Sequence, residues 1–223
     1  LNEIRPIDER RRVLVQAAML LAVVAVLVRS CFGAPYPADL ALQHVMTVAA
    51  LIALAASIVW FPLNHGSLAT MLLFMLLHVV GARYLYSYVP YDLWAEQLIG
   101  VNISQTFGFE RNHYDRLVHF SFGLLIAWPV REVVLRYLGA PRGWSYYLVI
   151  DFIIASSALY ELAEWVVAIG LSPEAAENYN GQQGDIWDAH KDMALAAGGA
   201  LLSMAVAGAI DGIARLRSRA DGG

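Results

Sequence analysis

The stretch Gly184-Asp185-Ile186-Trp187-Asp188-Ala189-His190-Lys191-Asp192-Met193 passes without a break into Ala, Gly, Leu, Met and Val as far as Ile210. Its second part is long and apolar enough for a membrane helix, which needs roughly 20 mostly apolar residues. Its first part holds five ionisable side chains, among them Lys191, the one lysine of the chain. Charge carried into a bilayer costs up to about 3 kcal/mol per group at its centre, so it marks an ion, proton or substrate site, or an internal ion-pair network. The stretch therefore fixes a membrane fold and points to where polar chemistry sits in it.

The rest of the chain agrees. Of 223 residues, 59% are hydrophobic and 15% charged, too apolar for an ordinary soluble domain of this size. Six segments have the length and composition of spans, at about 13–30, 40–61, 67–85, 116–136, 144–169 and 186–211. The expected fold is all-α, a polytopic bundle of six transmembrane helices. It is flanked by a basic N-terminal segment, 1–12, and a basic tail, 213–223, with 13–212 as the membrane domain. Net charge is −4 and the basic residues sit in short clusters, so nucleic-acid binding has no support. The partner implied is the lipid bilayer; the residues set no oligomeric state. Cys31 is the only cysteine, which leaves no intrachain disulfide. The arginine-flanked first segment imitates a signal peptide, but its length and Arg29 favour a retained helix.

Orientation follows from arginine. Arg5, Arg10, Arg11 and Arg12, then Arg131, Arg136 and Arg142, then Arg215, Arg217 and Arg219 fall on one side of a six-span topology; Arg29, Arg83, Arg111 and Arg116 fall on the other. Cytoplasmic loops are the arginine-rich ones, so both termini are expected inside. That topology sends His44, His78, His113, Asp115, His119, Glu161, Glu164, Asp185, Asp188, His190, Lys191 and Asp192 to the periplasmic end of their spans. Helical phase allows convergence: Asp185, Asp188 and Asp192 share a stripe, Asp115 and His119 are one turn apart, and so are Glu161 and Glu164.

Imidazole suits Zn, Fe or Ni and carboxylate suits Mg, Ca or Mn, and bundle metal sites mix the two. His113, His119, Glu161, Asp185, Asp188 and Asp192 are the candidate ligands of a divalent metal ion such as Zn, Mn or Fe, with Glu164 as general base. His78, Asp115, Arg116 and Lys191 are candidates for a surrounding pocket or ion-pair network. Three readings stay open: a metal centre, catalytic or not, acting on a lipid or other small-molecule substrate of the envelope; a cation or proton pathway; and a scaffold held by ion pairs.

Lesser features complete the reading. Tyr84, Tyr86, Tyr88, Tyr91, Trp94, Trp165 and Trp187 read as an interfacial aromatic belt. An interfacial helix is expected near 93–100, where it could cover the polar cluster. Gly208 and Gly212, with Gly198 and Gly199 above them, are expected at a close helix crossing. Asp151 is a candidate partner for Arg142. No phosphate-cradling glycine loop, Gly-x-Ser-x-Gly or His-Glu-x-x-His occurs.

Three blocks carry a family likeness: Asn112-His113-Tyr114-Asp115-Arg116-Leu117-Val118-His119-Phe120, Ala158-Leu159-Tyr160-Glu161-Leu162-Ala163-Glu164-Trp165, and Gly184 through Met193. Together they resemble the YjdF-like family of bacterial inner-membrane proteins, over about residues 10–212. The resemblance implies a multi-pass protein of the inner membrane and brings no catalytic residue with it.

Overall fold

The structure, a computed structural model, describes residues 6–220. Its helices are α1 (Pro6–Cys31), α2 (Pro37–Trp60), α3 (His65–Arg83), α4 (Tyr91–Ile99), α5 (Ile103–Phe107), α6 (Tyr114–Arg136), α7 (Arg142–Ile169), α8 (Pro173–Asn180) and α9 (Asp188–Ala220). No strand occurs among the described residues. Six helices, α1, α2, α3, α6, α7 and α9, are long and apolar enough to cross a bilayer. α9 starts at Asp188 because Asp185 accepts the Trp187 and Asp188 N–H groups on its side chain and carbonyl, turning the chain before the helix begins.

The spans form two halves. Leu20, Val23, Leu27, Leu51, Leu54, Ile58, Leu68 and Leu72 lock α1, α2 and α3 together. Ala127, Val149, Ile153, Ala196, Ala200, Met204 and Ala207 do the same for α6, α7 and α9. The halves join where α3 packs on α6, leaving α2 and α7 on either side of a seam without extended contact between them.

Between lipid-solvated helices there is little hydrophobic drive, so close packing depends on small residues. The closest crossing is α6 against α9: a Cβ on Gly123 would overlap the Ala196 carbonyl, and one on Gly199 would overlap the Phe120 carbonyl. This corrects the expectation for Gly208 and Gly212, since Gly212 has nothing within 4 Å of a Cβ position and Gly208 only a tyrosine edge. Pro129 lies inside α6, tolerated because neighbouring helices bury that turn.

Side chains fasten the helix ends on two faces. On one, Arg12 donates to the Ile58 carbonyl, Gln16 to the Leu63 carbonyl at 2.8 Å, and Arg136 to the Pro62 carbonyl at 2.8 Å. Arg131, buried on α6, there pairs with Asp211 of α9, whose carboxylate also accepts the Tyr146 hydroxyl at 2.7 Å. The Arg142 partnership expected of Asp151 does not form; Asp151 is exposed and makes no ion pair among the described residues. On the other face Arg83 donates to carbonyls of Ser30, Phe32 and Gly33 at the end of α1. This second face, where α6 and α9 begin, carries the polar cluster and is called the site face below.

Candidate metal centre

α6 and α9 run parallel away from the site face, and their glycine crossing sets the depth of what lies above it. Asp115 and His119 precede Gly123 by eight and four residues, and Asp192 precedes Gly199 by seven. At 1.5 Å per residue all three sit within about 12 Å of the crossing, on helices held too close to drift apart. One ligand atom from each of Asp115, His119 and Asp192 lies within 4.8 Å of the others. Ligands about 2.1 Å from a shared ion stand up to about 4 Å apart, so small side-chain adjustments would close this group around one cation.

Glu161 of α7 adjoins the group. His119 Nε2 lies 3.6 Å from Asp115 Oδ1 and 3.8 Å from Glu161 Oε1. Asp192 is 2% exposed, yet among the described residues its Oδ1 has no hydrogen-bond partner, and neither has the buried Glu161 Oε1. Buried polar atoms are nearly always satisfied, so two orphaned carboxylate oxygens in one place call for an explanation. Neither Asp192 nor Glu164 makes an ion pair among the described residues, and Asp115 and Glu161 have only His119.

The remaining candidates form a separate, balanced cluster. Arg111 grips Asp188 with both terminal nitrogens, at 2.6 and 3.3 Å, and also donates to the Gly181 and Gln182 carbonyls. Arg116 and Lys191 each reach Asp185 Oδ2 at 2.6 Å. The Lys191 hydrogen bond and the Trp187 N–H hold the Asp185 carboxyl below its usual range. His113 stacks on Phe109 with ring centroids 3.9 Å apart, its Nε2 3.1 Å from Arg116 Nη1. Burial, Arg116 and Arg111 lower its pKa, in keeping with a neutral ring that accepts from the guanidinium.

Of the six ligand candidates the structure thus brings His119, Glu161 and Asp192 together. It adds Asp115, one of the pocket candidates, and sets His113, Asp185 and Asp188 in the arginine cluster.

His78 takes part in another network. Its Nε2 lies 2.6 Å from Thr47 Oγ1, which is 3.2 Å from His44 Nδ1, and its Nδ1 bonds the Tyr86 hydroxyl. Tyr86 therefore does not belong to the aromatic belt: it is buried, and burial with nearby Asp115 and Glu164 pushes its hydroxyl pKa well up. Leu85 and Tyr86 both have positive φ, 51° and 54°, and a Cβ on Gly81 would come within 2.5 Å of the Tyr86 ring. Gly81 makes room for a strained turn that aims this tyrosine inward. Trp165, Trp187 and Tyr88 are exposed, as a belt requires.

Two cavities meet at the acids. One, of about 260 Å³, is lined by Met46, Ala50, Phe74, Met75 and Phe122 below and by His78, Tyr86, Asp115, His119, Tyr160, Glu164 and Tyr179 above. The other, of about 440 Å³, is lined by Glu161, Glu164, Asn180, Gln182, Asp188, His190 and Asp192 among others. Glu164 and Asn180 border both. The element over them is α8, which lies across α7 and α2, not the helix expected near 93–100. That helix forms as α4, but it lines neither cavity. Only the terminating Asn180-Gly181 and the capping Ser172-Pro173 signal α8 in the sequence.

Six apolar spans around a buried polar centre define a polytopic α-helical membrane protein. A family model described as "Predicted membrane protein (DUF2238)" matches residues 15–211, and the chain belongs to that family. It is 34% identical over 145 residues to the inner membrane protein YjdF of Escherichia coli strain K12, an alignment spanning 65% of each chain. With that kinship and its six spans, it is a multi-pass protein of the bacterial inner membrane. No solved structure matches it significantly.

Proposed function

We propose that Asp115, His119 and Asp192, with Glu161 beside them, hold a divalent cation such as Zn, Mn or Fe, and that the centre performs hydrolytic or related chemistry on a lipid or other envelope substrate. The observation that carries this reading is the three convergent ligand atoms, together with the unpartnered oxygens on Asp192 and Glu161. Four carboxyl groups around one imidazole cannot all stay ionised in a low-dielectric site unless a cation or protons enter. A mixed imidazole and carboxylate set suits the borderline metals, and such an ion acidifies water towards neutrality. Glu164, free of any ion pair among the described residues and common to both cavities, would take the proton of the attacking water and return it to the departing alcohol oxygen.

The arginine distribution supports a periplasmic site face and cytoplasmic termini. A transmembrane pathway fits less well, because Ala127, Val149, Ile153, Ala196, Ala200 and Met204 form an apolar layer between the acids and the Arg131 pair. Elemental analysis of detergent-purified protein tests the proposal. Wild type is expected to hold near-stoichiometric metal and Asp192→Asn and His119→Ala to lose it; equal, trace metal in all three overturns the reading.

A further inference from the structure

We infer that the smaller cavity takes the headgroup-proximal part of an acyl chain of a bilayer phospholipid, admitted sideways through the seam between α2 and α7, with the headgroup delivered to the acid cluster. The cavity's lining is graded along the helices. On α6, Asp115 and His119 give way one turn deeper to Phe122; on α3, His78 gives way to Met75 and Phe74. A site apolar towards the bilayer centre and polar towards its surface matches an amphiphile standing as it already stands in the membrane, so entry needs no inversion of the ligand.

The seam supplies the doorway. Met46, Thr47 and Ala50 line the cavity from α2, and Ser156, Ser157 and Tyr160 line it from α7. These two helices lack extended mutual contact, α8 lies across both at the site face, and the outer residues beside the gap face lipid, Met46 being 58% exposed and Leu159 67%. The second cavity has the opposite character: it is bordered by Glu161, Gln182, Asp188, His190 and Asp192, with His190 exposed at its rim. A lipid from one side and water from the other would meet where Glu164 borders both. The placement of the headgroup rests on the metal-centre reading; occupation of the cavity by the chain rests on the cavity alone.

Photolabelling decides between them. The full chain is reconstituted in phosphatidylethanolamine and phosphatidylglycerol vesicles containing a phospholipid with a diazirine in the upper half of an acyl chain, and adducts are mapped by mass spectrometry. Labels are expected on the interior residues Phe74, Met75 and Phe122 as well as on lipid-facing Ile52. Ala50→Trp and, from the other side of the gap, Ser156→Phe are expected to cut interior labelling about tenfold, whereas Ala49→Trp, on the lipid face of α2, leaves it unchanged. Interior residues left unlabelled in the wild type, or labelling that survives both obstructing substitutions, would overturn the inference. Metal measured on the same samples separates the two ideas: interior labelling without metal removes the metal reading and keeps the doorway, and metal without interior labelling does the reverse.

Discussion

The same pair of helices, α6 and α9, carries two polar centres of opposite character. Near their far ends Arg131 meets Asp211, with Ser145 and Tyr146 hydrogen-bonded to the pair, one cation to one anion. Near their beginnings Asp115 and Asp192, joined by Glu161 and Glu164, surround His119 with no arginine or lysine in ion-pair contact among the described residues. A balanced pair is complete as it stands. An acid-rich one invites something from outside, and two cavities adjoin it. The arginine cluster beside it sharpens the point, because Arg111, Arg116 and Lys191 are spent on Asp185 and Asp188.

The largest effect breaks both centres at once. Gly199→Val would press a branched side chain into the Phe120 carbonyl, where relief requires α6 and α9 to separate, and no folded protein is expected in detergent extracts. Arg131→Leu strands Asp211 and is expected to cost about 3 kcal/mol in thermal or SDS unfolding, with much of the loss recovered in the Arg131→Leu, Asp211→Leu double variant. Arg111→Leu is expected to cost about 2 kcal/mol and to speed hydrogen exchange across 181–188.

At the acid-rich centre the sign reverses. In metal-free protein, Asp192→Asn relieves the crowding of buried carboxyl groups around His119 and is expected to raise stability by about 1 kcal/mol while abolishing metal binding.

The smallest effect is one of pH. Burial and the two arginines lower the pKa of His113, so below about 6.5 the unfolded chain takes up a proton that the folded one refuses. Stability is therefore lost as pH falls from there to the lowered value, and His113→Gln should flatten that slope. Asp185 behaves in the usual acid sense, its contribution present above about pH 4 and lost as pH falls through its lowered folded value.

How far the sequence foretold this depended on what each residue type advertises. Long apolar runs announce six spans, and acids inside them announce a polar centre, since neither has a cheap alternative in lipid. Phase alone, however, could not divide the acids into those that arginine pairs and those it leaves without a cation. Asp188 and Asp192 lie one turn apart on one helix, and what separates them is whether Arg111 reaches back to that level. Arg131 counted as a topological signal while also serving as a buried partner, because positive charge near a helix end fits both roles. Of the glycines expected at a crossing, Gly199 lies there while Gly208 and Gly212 do not, for a similar reason: Gly199 and Gly208 look alike until the neighbour opposite each is known. Tyr86 was hidden by its setting among interfacial tyrosines, and only its positive φ turns it inward.

The difference between the two centres comes down to whether one of them binds a cation, and Mn(II) titration followed by electron paramagnetic resonance measures that directly. Full-length protein in detergent should take up one Mn(II) with loss of the free-ion signal, the Arg131→Leu, Asp211→Leu variant should bind as the wild type does, and Asp192→Asn should not bind. Uptake that is absent in the wild type, or undiminished in Asp192→Asn, would contradict a metal centre at Asp115, His119 and Asp192.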